Sequence, residues 1–294
     1  MSAGPLVPGF TERQFQGSEV CLNYAEGPAT GPPLVLVHGL ARDWRSFSVL
    51  LPELSRRFHL FAVDLRGHGK SSRVAGGYRT SQFAFDISEF LQAKFPAGAA
   101  VFGHSLGAMT AMTAAADGVA KVTALIVGDS MILPENLRRS LYDPLFRQLG
   151  KLLTQSHSQT TLASAMGEIT IPVPGFDEPV RIDELPGNTP KVLQEWARCA
   201  LLADPEALAM TVDGSAFEEW VPEKILPRIT CPTLLLQGNP ELDAMLSDED
   251  VKLALGLLPK GQHIKFQLLG HALFMHQAKP VVEAITRFCS AMNQ

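Results

Sequence analysis

Cysteine is scarce in this 294-residue chain. The four present, Cys21, Cys199, Cys231 and Cys289, lie far apart and form neither a CxxC pair nor a Cys/His metal spacing. A disulfide framework and a zinc module are thereby excluded, and each cysteine reads as a small core residue of a reduced, metal-free protein. Basic runs are missing too. The 25 Lys and Arg residues are scattered and outnumbered by 30 Asp and Glu, for a net charge of -5. A nucleic-acid partner needs a basic face to displace phosphate counterions, so none is expected. No apolar run is long enough to span a bilayer, and MSAGPLVPGFTERQF lacks the basic segment and apolar stretch of a secretory signal. The expectation is a cytoplasmic protein with a small-molecule substrate and no membrane span.

Hydrophobic residues, at 46%, suffice for one large core or a core with a smaller inserted unit. Short apolar runs at 19–24, 34–38, 60–64, 99–103, 124–128, 233–237 and 263–268 alternate with helix-length stretches at 46–54, 81–95, 105–116, 247–257 and 274–291. That order predicts an α/β fold: a mostly parallel sheet flanked by helices on both faces. The alternation stops after Ser130. Residues 131–227 contain helical pieces (141–153, 190–202, 205–212) and the Pro-rich IPVPGFDEPV, without a clear buried strand. They read as an inserted, mainly helical cap, with the core formed by residues 1–130 and 228–294.

Gly103-His104-Ser105-Leu106-Gly107 is a Gly-x-Ser-x-Gly run between a buried apolar strand and an Ala-rich helical stretch. Chemistry needs that context because a tight strand-to-helix turn throws the hydroxyl clear of the sheet, and the glycines tolerate close backbone approach. Ser105 is thus the candidate nucleophile. Earlier, LVLV leads into His38-Gly39-Leu40, where the glycine lets the chain turn towards the serine. The amides of Leu40 and Leu106 are the candidate oxyanion donors. The stretch DLRGHGKSS (64–72) reads as a structural loop whose side chains bond local backbone, and His68 receives no catalytic role. Among eight histidines, His271 follows a glycine just after the last apolar strand. Imidazole there can take the serine proton and return it to a leaving group. His104 reads as support for the turn and His276 as a structural helix residue.

These motifs, His38-Gly39, Asp64-Leu65-Arg66-Gly67-His68-Gly69, Gly103-His104-Ser105-Leu106-Gly107 and Gly270-His271, resemble in type and order the α/β-hydrolase superfamily. The resemblance covers roughly Leu34 to Asp129 and Cys231 to the C-terminus. It implies an α/β-hydrolase sheet, a Ser-His-acid triad and no cofactor. The third member departs from the common pattern of an acid after the strand that follows the cap. There Gly238 leads into NPELD, which offers Glu241 at the usual offset and Asp243 two residues later. A minority arrangement in the superfamily places the acid one strand earlier, where Asp129 ends ALIVG. Asp129 is therefore the preferred assignment, with Glu241 and Asp243 as alternatives that would otherwise be solvated loop acids.

The resulting expectation is a serine esterase, lactonase or carbon–carbon bond hydrolase that works through an acyl-enzyme on Ser105. Leu133, Phe146, Met166, Phe176, Trp196, Met210, Phe217 and Trp220 suggest an apolar pocket, most of them as cap core. Arg42 and Trp44 follow the oxyanion turn and could reach substrate or serve packing. The rivals are a cofactor-free dioxygenase and a non-catalytic ligand receptor on the same scaffold.

Overall fold

A computed structural model describes residues 7–173, 176–275 and 277–291. In chain order its strands are β1 (Thr11–Gln16), β2 (Cys21–Glu26), β3 (Pro33–Val37), β4 (His59–Val63), β5 (Ala99–His104), β6 (Val122–Gly128), β7 (Thr170–Ile171), β8 (Val180–Arg181), β9 (Thr233–Gln237) and β10 (Gly261–Lys265). Eight of them form one sheet in the order β1-β2-β4-β3-β5-β6-β9-β10. It is antiparallel only at β1–β2 and β2–β4. The helices are α1 (Leu51–Leu54), α2 (Thr80–Lys94), α3 (Leu106–Asp117), α4 (Glu135–Arg139), α5 (Tyr142–Leu153), α6 (Gln159–Gly167), α7 (Pro190–Leu202), α8 (Pro205–Asp213), α9 (Pro222–Ile225), α10 (Asp248–Leu257) and α11 (Ala278–Ala291).

Runs such as LVLV and ALIV are continuous rather than alternating because their strands are covered on both faces. Val35, Val37, Val101, Val127 and Leu235 enter the core on one side, and Leu34, Leu36, Phe102, Ile126 and Leu236 enter it on the other. The edge strand β1, TERQFQ, escaped sequence reading because it is mostly exposed and polar, which suits an edge that must not recruit other strands. The helix expected at 46–54 divides into a 3-10 turn, Trp44–Phe47, and α1, since Pro52 has no N–H to donate to a preceding turn. The last helix begins at Ala278 rather than at 274, and His276 lies outside the described residues.

Register positions the site. Val37 pairs with Gly103, Gly103 with Val127, and Val127 with Leu235. Two residues further along these four parallel strands come Gly39, Ser105, Asp129 and Gln237, all at the C-terminal edge of the sheet. The chain runs from β3 to β4 on one side and then crosses to β5 on the other. The β3 and β5 ends therefore form a switch point, the place where open α/β sheets leave a crevice for ligands.

Between β6 and β9 lie the helices α4–α9 and the β7–β8 hairpin. Ser158, Thr189 and Asp204 cap α6, α7 and α8 through their side chains, and Pro190 and Pro205 open the latter two, as helix N-termini favour. Two bonds tie this insertion to the core around α2, Tyr78 Oη donating to Asp204 (2.7 Å) and Thr80 Oγ1 to Ala216 O (2.9 Å), while Trp220 Nε1 donates to Ile132 O (2.7 Å) within the insertion itself. No helix of the described residues is long and apolar enough to cross a membrane.

Candidate active site

Ser105 stands between β5 and α3 with φ 55° and ψ −123°, a conformation that costs a non-glycine residue on the order of 1–3 kcal/mol. The flanking glycines explain why the chain holds it. A Cβ on Gly103 would lie 2.2 Å from Gly107 O, and one on Gly107 would lie 2.2 Å from Val37 O. Strand and helix are thus closer than any side chain allows. Ser105 N donates to Gly128 O at 3.0 Å, fixing the turn against β6.

Asp129 follows β6 with φ 37° and is fully buried. A buried carboxylate needs donors, and Asp129 has three. Gly238 N reaches Oδ1 (3.0 Å), Met245 N reaches Oδ2 (2.8 Å), and His271 Nδ1 lies 2.7 Å from Oδ2. With Nδ1–H donating there, Nε2 of His271 is left as the basic nitrogen. His271 and Ser105 line one cavity of about 50 Å³. Oγ and Nε2 make no direct hydrogen bond, a contact that commonly tightens only when substrate enters.

The alternative acids have different places. Glu241 is exposed on the 3-10 turn Pro240–Leu242. Asp243 is not the solvated loop acid expected of it. Its Oδ1 accepts the backbone N–H of His271 (2.7 Å) and its Oδ2 accepts Tyr142 Oη (2.9 Å), while burial raises its pKa above the ordinary carboxylate value. Gly270 is a glycine for this reason, since a Cβ would sit 1.7 Å from Asp243 Oδ1.

His104 does more than support its own turn. Its Nε2 lies 2.8 Å from His271 O, and because a carbonyl only accepts, the nitrogen carries the proton. The two rings pack in a tilted arrangement at 4.8 Å, and Tyr142 covers His271 from the insertion at 4.7 Å. Sequence reasoning missed Tyr142 because it opens α5 within no local motif, and only tertiary packing brings it to His271. At the turn of the candidate oxyanion donor Leu40, His38 Nδ1 faces Gly39 O (2.8 Å) and Nε2 accepts Leu65 N (3.1 Å). The turn that presents Leu40 is held from both ends. The Leu40 and Leu106 amides have no intraprotein acceptor among the described residues. A second cavity of about 20 Å³, lined by Leu106, Met109, Met131, Leu137, Phe217 and Met245, meets the first at Leu40, Ser105 and Phe146. Of the apolar residues expected at the pocket, Phe146, Trp196 and Phe217 line these cavities. Met166 and Trp220 are buried in the core, whereas Phe176 is 64% exposed.

Residues 34–284 match the family described as the alpha/beta hydrolase family. The chain belongs to that family. Over 116 residues it is 36% identical to the 2-(acetamidomethylene)succinate hydrolase of Mesorhizobium japonicum, covering 40% of this chain and 41% of that protein. Over 278 residues it is 27% identical to the pimeloyl-(acyl-carrier protein) methyl ester esterase of Xanthomonas oryzae pv. oryzae, covering 89% and 96%. The match spans less than half the length of several curated relatives. Among solved structures, the enol-lactonase from Burkholderia xenovorans LB400 superposes with a TM-score of 0.71 at 18% identity, covering 95% of this chain and all of that one (100%).

In this α/β-hydrolase three histidines are locked neutral around the sheet edge. Burial pushes His38 down to about 3, His68 to about 4 and His104 to about 3. Once unfolded they titrate at about 6.5, so below that pH these three sites bind more protons in the unfolded chain, while Asp64, raised by burial to about 7, binds one more in the folded chain. The net stabilisation is complete above about pH 6.5 and is lost as pH falls towards 4, by up to about 3 kcal/mol per pH unit for the net two protons. Urea midpoints measured from pH 7.5 to 4.5 should fall accordingly. A midpoint flat across that range would mean the histidines already titrate in the folded protein. DLRGHGKSS is the structural loop expected: Asp64 accepts Trp44 N (2.7 Å), Lys70 N (3.0 Å) and Asn23 Nδ2 (2.8 Å), and Arg66 grips Asp86 with two 2.6 Å bonds.

Proposed function

We propose that this chain is a serine hydrolase cleaving an ester-like or otherwise activated acyl bond of a small substrate. In this reading Ser105 attacks the acyl carbon while His271 Nε2 removes its proton, and Asp129 holds the ring and stabilises the imidazolium. The Leu40 and Leu106 amides stabilise the tetrahedral oxyanion, helped by the N-terminus of α3. Collapse expels the leaving group with the proton from His271, and water, activated by the same imidazole, hydrolyses the acyl-enzyme. The observation that carries this reading is the 2.7 Å contact of buried Asp129 with Nδ1 of His271, a histidine that lines one cavity with the strained Ser105. Residues 131–227 act as a cap over the core of 1–130 and 228–294. Four free cysteines support a cytoplasmic setting.

The test is labelling with a small fluorophosphonate, followed by peptide mass spectrometry, alongside a panel of aryl esters, lactones and ring-cleavage ketones. A single adduct on Ser105 that abolishes hydrolysis is expected. Labelling elsewhere, or hydrolysis that survives full modification of Ser105, overturns the reading. Cap residues should tune preference more than reactivity. Phe217→Ala, which widens the apolar cavity, is expected to shift kcat/KM between short and long acyl chains by about tenfold, with little change in the rate of labelling. Equal loss on all chain lengths would contradict a cap role for Phe217.

A further inference from the structure

The positive charge in the catalytic cavity has no carboxylate bonded to it among the described residues. Arg42, two residues beyond the oxyanion turn, lines the cavity with Ser105 and His271. Among the described residues it forms no ion pair and donates no hydrogen bond, although burial lowers its pKa. Its neighbour Asp43 cannot serve it, because Arg198 of α7 occupies that carboxylate with bonds of 2.5 and 3.1 Å. The same helix lays Trp196 across the guanidinium, with Arg42 Cζ 4.5 Å from the ring. Trp196 Nε1 is itself buried without an acceptor among the described residues. A guanidinium held over an indole ring, with N–H groups that no described residue accepts, in a partly desolvated cavity suits the planar, bidentate recognition of a carboxylate.

The two cavities differ in character on either side of Ser105. The apolar one is lined by Leu106, Met109 and Phe217, and the other by Arg42, Tyr142 and His271. Because His271 must return the proton to the departing group, the leaving group lies on the His271 side, beside Arg42. The acyl chain then enters the apolar side.

Building on the hydrolase reading, we infer that the substrate's leaving group carries a carboxylate bound by Arg42, while its acyl part is apolar. Arg42 is then a specificity-determining residue, which neither the motifs nor the triad assigns.

Two matched ester pairs test this with the full chain. Butyryloxyacetate and butyryloxyacetamide differ only in the charge of the leaving group, whereas monomethyl succinate and methyl succinamate differ only in that of the acyl group. Wild type should favour butyryloxyacetate over its amide by at least about tenfold in kcat/KM, largely through KM, and show no such preference in the second pair. The first ratio should fall towards one in Arg42→Met and be partly kept in Arg42→Lys. A wild-type ratio near one, or a ratio that survives Arg42→Met, overturns the assignment. A preference confined to the second pair overturns the placement on the leaving-group side. Phosphonate labelling of wild-type Ser105 separates the two levels: labelled, active protein without charge preference sinks only the carboxylate inference, whereas unlabelled, inactive protein sinks the hydrolase reading as well.

Discussion

Ser105→Ala is expected to lower hydrolytic turnover by more than about a hundredfold, and by as much as about a millionfold if the covalent step carries the full rate. The fold should barely notice. The serine hydroxyl makes no hydrogen bond to another described residue, and the backbone strain at φ 55° is common to Ser and Ala. Thermal or urea unfolding should therefore match wild type within about 0.5 kcal/mol, and substrate should still bind. Stopped-flow or steady-state rates on the best ester, paired with calorimetric binding, check both halves. A variant with more than about a hundredth of wild-type turnover is incompatible with an acyl-enzyme on Ser105.

Asp129→Asn should be nearly as damaging, by about a thousandfold or more. The amide can present its NH2 to His271 Nδ1, which favours the tautomer whose Nε2 carries a proton and cannot accept one from Ser105. It also disturbs the cradle formed by Gly238 N and Met245 N. Exposed Glu241 predicts a Glu241→Gln variant indistinguishable from wild type. Asp243→Asn should fall between them, at about tenfold, because an amide oxygen can still accept His271 N–H while the bond from Tyr142 is compromised. Comparing the three variants on one substrate, with phosphonate labelling rates as a second measure, ranks the carboxylates. A crippled Glu241→Gln beside an active Asp129→Asn would move the orienting acid to the later loop.

The sheet and the candidate serine were legible in the sequence because each rests on a local physical requirement. Two-sided burial writes continuous apolar runs and a strand-to-helix turn this tight demands glycine at 103 and 107, whereas the Gly270-His271 pair is visible in the sequence although its reason, the approach of Asp243 to residue 270, is tertiary. The polar edge strand β1 and the break at Pro52 were less legible, the first because an exposed edge carries no apolar pattern. The facing of carboxylate to histidine was not local at all. Asp129, Glu241 and Asp243 are equivalent in charge and close in sequence context. Only the register of β6 between β5 and β9 lays Asp129 against Nδ1 of His271, and only loop closure after β9 aims Asp243 at the histidine backbone. Tyr142 and the unpaired Arg42 belong to the same category. Each depends on an inserted helix, α5 or α7, folding back over the sheet edge from far along the chain, and contacts across that distance leave no spacing for a sequence to display.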